Sequence, residues 1–153
     1  MAAGESSGDI FVAGDLASYP DIRTGKTSRA EHWNAAVSQG ETAALNILGR
    51  HKVFRRDQTN STVRTELFGK RMEFVGTVDT LQHAVVEGDV DGMNFVVYYV
   101  NQRDEITGVL NLGKPEVTAA TTRLMEVSKM PKASEVIIGL VNAESLVARS
   151  QMV

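Results

Sequence analysis

Cysteine is absent from the 153 residues, which excludes disulfides, thiolate metal sites, cysteine nucleophiles and a redox-active cysteine pair on this chain. Redox chemistry, if the protein has any, must come from a cofactor. Charge of one sign is also lacking: 16 basic side chains stand against 19 acidic ones, so no strong field draws phosphate backbones or anionic lipid. Nucleic acid and membrane are not expected as partners. No apolar run approaches the ~18 residues of a membrane-spanning helix, and the first residues lack the basic-then-apolar pattern of a leader. The expectation is a soluble chain, with the compartment open between cytoplasm and mitochondrion. Missing too is a Gly-x-Gly-x-x-Gly turn, the usual seat for a dinucleotide pyrophosphate. What is present is a 42% hydrophobic composition, enough for a buried core in a chain of about one domain's length.

The apolar run Ile10, Phe11, Val12, Ala13 follows Asp9 and ends in Gly14-Asp15. A run without alternation predicts an interior parallel strand, covered on both faces. Residues 16–29 carry Pro20 and Gly25 and read as a loop. From 31 to 48 the spacing becomes helical: Trp33, Ala36, Val37, Gly40, Ala44, Ile47 and Leu48 recur at steps of three and four, with Gly49 as a stop. Residues 50–61 are polar, with Arg50, Lys52, Arg55 and Arg56, and read as a linker. Beyond it the period falls to two. Runs at 72–75, 83–87, 94–101 and 105–112, each closed by turn residues, predict four strands in an antiparallel meander. Pro115 opens a helix with Val117, Ala120, Thr121, Leu124, Val127 and Ser128 on one face. The apolar run 136–141 then leads to Asn142, a possible N-cap for a short closing helix. The fold class is α+β: a strand and helix in residues 1–49, a linker at 50–61, and a small antiparallel sheet backed by helices in residues 62–153.

Gly14-Asp15 at a strand end is the most suggestive pair, because ligands of open parallel sheets bind beyond the carboxyl ends of the strands. Glycine admits a ligand to the backbone, and a carboxylate accepts hydrogen bonds from sugar or ribityl hydroxyls. By itself the pair is an ordinary turn, and context carries the functional reading. The order strand, Gly14-Asp15, a loop with Asp21, Gly25 and Arg29, then Glu31-His32-Trp33 opening a helix with Ala36 and Gly40, resembles the flavin-binding C-terminal motif of the apoptosis-inducing factor and ferredoxin reductase group. The pieces Phe68-Gly69-Lys70, Gly76, 85–89, 95–99 and 104–106 resemble the C-terminal domain of that family, and the likeness runs from Asp9 to about Pro131. One departure stands out. Where the family usually has an aromatic residue near the flavin, this chain has Val63-Arg64-Thr65-Glu66.

The resemblance implies the last strand and helix of an FAD-binding α/β domain followed by a reductase C-terminal domain. It implies FAD as cofactor and NAD(P)H as co-substrate. Asp15 would then hold the ribityl chain beside Gly14, and Glu31, His32 and Trp33 would bring helix-start N–H groups toward the flavin ring, where a positive dipole end favours the electron-rich flavin. The implied partner is the remainder of the FAD and NAD domains, so this segment alone is expected to be inactive. The alternative is a stand-alone dimerisation or interaction module, since a sheet with a free edge can pair with another chain. No metal is expected: His32, His51 and His83 are widely spaced, and Asp89 with Asp91 lacks the further ligands of a calcium loop. Trp33, Tyr98 and Tyr99 have core or interface packing as their commoner role.

Overall fold

The computed structural model describes residues 10–20, 27–54, 62–78 and 80–153. Asp9, Asp21, Gly25, Arg55 and Arg56, named above, lie outside the described residues. The chain divides into two compact units, Met1–Asn60 and Ser61–Val153, and the secondary structure is α+β.

In the first unit, β1 (Ser18–Pro20) and β2 (Thr27–Arg29) form a short antiparallel ribbon with Tyr19 opposite Ser28. The helix α1 spans Trp33–Ile47. It begins where His32 turns extended and its Nδ1 accepts from the Ala35 amide at 3.3 Å, satisfying one donor of the first turn. It ends at Gly49, whose φ of +73° suits a left-handed closure. The Arg50 amide donates to the Leu45 carbonyl at 2.9 Å and the Gly49 amide to Asn46 at 3.0 Å, the paired bonds that satisfy the last carbonyls of a helix. Ala17, Tyr19, Ala30, Ala35 and Phe54 make the core, with Val12 against it. Phe54, placed in the linker by composition, meets Tyr19 edge to face at 4.9 Å.

Two expectations are corrected in this unit. Residues 10–13 form no strand, and Ile10 is exposed while the next three are only half-buried. A strand exists only as a partner in a ladder, and among the described residues no neighbour pairs with this run. The loop at 16–29, in turn, contains the β1–β2 ribbon.

The second unit holds a five-stranded antiparallel sheet of β3 (Val63–Leu67), β4 (Lys70–Gly76), β5 (His83–Asp89), β6 (Asn94–Val100) and β7 (Ile106–Leu112), in the order β3-β4-β7-β6-β5. The predicted meander is therefore corrected to a Greek-key order: β5, β6 and β7 are consecutive neighbours, and β4 lies beside β7. Periodicity identifies strands without choosing their partners. The choice here follows from glycine: Gly76 lies opposite Gly108, and a Cβ on Gly76 would sit 2.2 Å from the Thr107 carbonyl oxygen. Only bare backbone allows that approach. The chain then crosses to the far edge, from the Thr77 amide on the Thr107 carbonyl at 2.9 Å to the Gln82 amide on the Val100 carbonyl at 2.7 Å.

One face of this sheet is covered by α2 (Pro115–Glu126), α3 (Ala133–Ile137) and α4 (Ala143–Ser150). Val75, Val96, Tyr98, Val100 and Val109 from the sheet pack with Val117, Leu124, Val136, Val141 and Leu146, each such burial stabilising by about 1.5–3 kcal/mol. Val127, expected on the buried face of α2, is exposed because the helix has already ended there. Asn142 caps α4, its Oδ1 accepting from the Ser145 amide at 2.9 Å.

Two carboxylates tie the layers together. Glu87 of β5 accepts from the Tyr98 hydroxyl at 2.9 Å and from the Ala143 amide, at the first position of α4, at 3.0 Å. Burial, then the Glu87 charge and hydrogen bond, hold the Tyr98 phenol far above its ordinary range. Glu73 of β4 is 2% exposed and accepts from Arg64 Nε at 2.8 Å and Arg71 Nε at 2.6 Å. Burial raises its pKa, but the Thr118 and Arg71 hydrogen bonds, the Arg71 charge and the Arg64 hydrogen bond together leave it below the usual carboxylate range.

Candidate functional site

Gly14, Asp15, Glu31, His32 and Trp33 all lie in the first unit, on either side of the β1–β2 ribbon in sequence. Gly14 takes a φ of +82°, and its carbonyl accepts from the Ala17 amide at 2.9 Å, so Asp15 sits at the second position of a tight turn. An added Cβ on Gly14 would meet nothing within 4 Å; the backbone there is open to a neighbour. Asp15 is exposed and its carboxylate is available as an acceptor.

The turn is fixed to α1 by Gln39, which the sequence reading passed over. The Gly14 amide donates to Gln39 Oε1 at 2.7 Å, and Gln39 is fully buried. Its Nε2 is a buried donor with no hydrogen-bond partner, so the amide is placed by that one bond. The signal for it was present: on α1, Ala35, Gln39, Thr42 and Ala43 share one face at helical spacing, small residues around one long amide.

That face is the one α1 buries. The apolar stripe that predicted the helix points outward, with Trp33 82%, Ile47 66% and Leu48 72% exposed. Spacing identifies residues that share a face, while small side chains on the opposite face let the helix approach the Tyr19 cluster closely. At the helix start, His32 is the cap rather than a free imidazole edge, and its carbonyl accepts from the Ala36 amide at 3.1 Å. Trp33 and Asn34 follow, and first-turn amides have no acceptor within a helix. Glu31 pairs with Arg29 at 2.6 Å, with both side chains more than half exposed, a contact worth little in water.

In the second unit, a polar depression of about 380 Å³ is lined by Gln82, His83, Asn101, Gln102 and Asp104. Its polar groups already hold the β6–β7 turn: Asn101 Oδ1 accepts from the Glu105 amide at 3.0 Å, and Asp104 accepts from Ser134 Oγ at 2.6 Å. No group of metal-ligating side chains occurs among the described residues. None of the helices among them is long and apolar enough to cross a membrane.

No family model matches the chain. Its fold is nevertheless that of a segment of reductases of the ferredoxin reductase type. A ferredoxin reductase of Rhodopseudomonas palustris superposes with a TM-score of 0.71 at 16% identity over 88% of this chain and 32% of its own. An FAD-dependent pyridine nucleotide-disulphide oxidoreductase of Desulfovibrio vulgaris does so with a TM-score of 0.64 at 16% identity over 99% of this chain and 41% of its own. In sequence, the chain is similar to Apoptosis-inducing factor 3 of Mus musculus and of Homo sapiens, each 23% identical over 137 residues. It thus resembles the apoptosis-inducing factor-like and ferredoxin reductase-like oxidoreductases over most of its length. It spans about a fifth of the curated relatives it matches, 22% of their length.

Proposed function

We propose that this chain is the C-terminal part of an FAD-dependent NAD(P)H oxidoreductase and supplies one wall of its flavin site. Residues 1–49 belong to the FAD-binding domain on this reading, residues 50–61 link, and residues 62–153 form the reductase C-terminal domain. The chemistry that FAD would supply there is hydride and electron transfer between NAD(P)H and an acceptor. The residues of this chain bind and orient it. Asp15 accepts hydrogen bonds from hydroxyls of the ribityl chain, Gly14 leaves room for that chain along the backbone, and Gln39 fixes the turn that carries both. The first turn of α1, at Glu31, His32 and Trp33, would bring its dipole and helix-start N–H groups toward the electron-rich edge of the ring. The single observation that supports the reading most is the Gly14–Gln39 bond, which holds an open, carboxylate-bearing turn against the helix whose start completes the wall.

The test exchanges this chain for the matching segment of the Desulfovibrio vulgaris enzyme. We expect the chimera to purify with flavin that bleaches on adding NADH or NADPH, and Asp15→Ala to lower its flavin content. A folded chimera that purifies colourless, beside a coloured parent, overturns the proposal.

A further inference from the structure

We propose that two copies of this chain pair edge to edge through β3, antiparallel about a two-fold axis at Thr65. This inference is independent of the flavin reading. Among the described residues β3 has β4 as its only neighbour, and all five of its residues are exposed. Its outer edge is a row of backbone donors and acceptors open to another strand.

The hairpin fixes which residues face that edge. Leu67 pairs with Lys70 across the turn Phe68-Gly69, whose φ values of 53° and 71° are those of the tight turn whose closing pair is hydrogen-bonded. Leu67, Thr65 and Val63 therefore direct their N–H and C=O groups to β4, and Arg64 and Glu66 direct theirs outward. A symmetric antiparallel pairing must match outward residues with outward residues. Centred on Arg64 or Glu66, it sets like charges face to face. Centred on Thr65, it sets each Arg64 opposite the Glu66 of the other copy, exchanging both backbone bonds, with Val63 opposite Leu67. Opposite charges and apolar pairs at facing positions favour that register.

The same face carries the charge pattern onward. Within one copy Arg64 lies opposite Glu73 and Glu66 opposite Arg71, so the joined sheets read Arg71, Glu66, Arg64, Glu73 in alternating sign across the junction. Arg64 stays 60% exposed despite its bond to Glu73 and has charge to present. Phe68, beside this edge, is 94% exposed in a backbone region that an aromatic rarely adopts. Strands of this length bury less than the ~1,000 Å² of a stable interface, so the pairing is a weak, reversible one.

Because the chain has no cysteine, a single introduced thiol reports the register. Thr65→Cys brings the two thiols to a non-hydrogen-bonded pair with Cα atoms ~4.5 Å apart, within disulfide reach. Val63→Cys leaves its two thiols about four residues apart along the strands, roughly 13 Å, beyond reach. With the 153-residue chain under mild oxidation, we expect Thr65→Cys to form covalent dimer many times faster than Val63→Cys. Adding Glu66→Lys, which faces Arg64 with like charge on both sides, should abolish that advantage while the far-ultraviolet circular dichroism is unchanged. Sedimentation of the chain without cysteine should show a monomer–dimer equilibrium that Glu66→Lys shifts to monomer. Equal rates for the two cysteine variants, or a monomer at every concentration, overturn the proposal.

Discussion

Glu87 joins the sheet to the closing helix, and its removal should be costly in a calculable way. Glu87→Ala leaves the hydroxyl of Tyr98, a fully buried residue, without its acceptor, at about 1–3 kcal/mol. It also strips the first amide of α4 of a charged partner at the positive end of the helix, about 0.3–1 kcal/mol. The expected sum is about 1–4 kcal/mol. For a unit of this size each kcal/mol is worth about 4–8 °C in Tm, so the loss should be plain in thermal unfolding. Tyr98→Phe should cost only about 1 kcal/mol, since Glu87 keeps the Ala143 amide. The double variant should be more stable than additivity allows, by about 1 kcal/mol, because it orphans no hydroxyl. The readout is tyrosine circular dichroism, as the only tryptophan, Trp33, belongs to the first unit. A Glu87→Ala chain within about 0.5 kcal/mol of the original, or strict additivity in the double variant, would refute the reasoning.

Two further outcomes are expected. Glu73 has a folded pKa below its ordinary value, so its stabilisation is present above the unfolded carboxylate range and is lost as pH falls through the folded pKa. Glu73→Gln should therefore cost roughly 1–2 kcal/mol at neutral pH, trading charge-assisted bonds for neutral ones, and the gap should close in acid; thermal melts of both chains at neutral and acid pH check this, and a gap that is constant with pH contradicts it. Ser128 ends α2 with a φ of 56°, its amide donating to Met125 at 3.1 Å while the Lys129 amide reaches Leu124 at 2.8 Å. Ser128→Gly relieves the left-handed strain and should stabilise by about 0.5–1 kcal/mol, measured by urea unfolding; a lower midpoint would contradict it.

Elements were legible in the sequence where local physics decides them. The period-two runs became β4 to β7, Gly49 stopped α1, Pro115 opened α2 and Asn142 capped α4. Pairing was not legible, because the crossover that sets β4 beside β7 rests on the close approach of Gly76 and Gly108, far apart in sequence. β3 was missed for a different reason: Val63, Thr65 and Leu67 do alternate with Arg64 and Glu66, but the run is only five residues long and all of them are exposed, so it does not stand out from the polar stretch before it. In the candidate site, Gly14-Asp15 and the start of α1 were legible as motifs. Gln39 was legible only in part: the small neighbours Ala35, Thr42 and Ala43 mark the face it shares, but not the partner 25 residues away that makes its amide a buried bond. The outward apolar stripe of α1 shows the same limit: hydropathy marks a face without saying what covers it.

The central claim, that the Gly14-Asp15 turn and the start of α1 form one wall of a flavin site, is tested most directly by titrating the chain with FAD while following Trp33 fluorescence. A partial wall should give saturable quenching with a Kd of about 0.1–1 mM, weakened several-fold by Asp15→Ala and absent with ADP-ribose, which lacks the flavin ring. Quenching that never saturates, or a curve identical in the Asp15→Ala chain, would contradict the account.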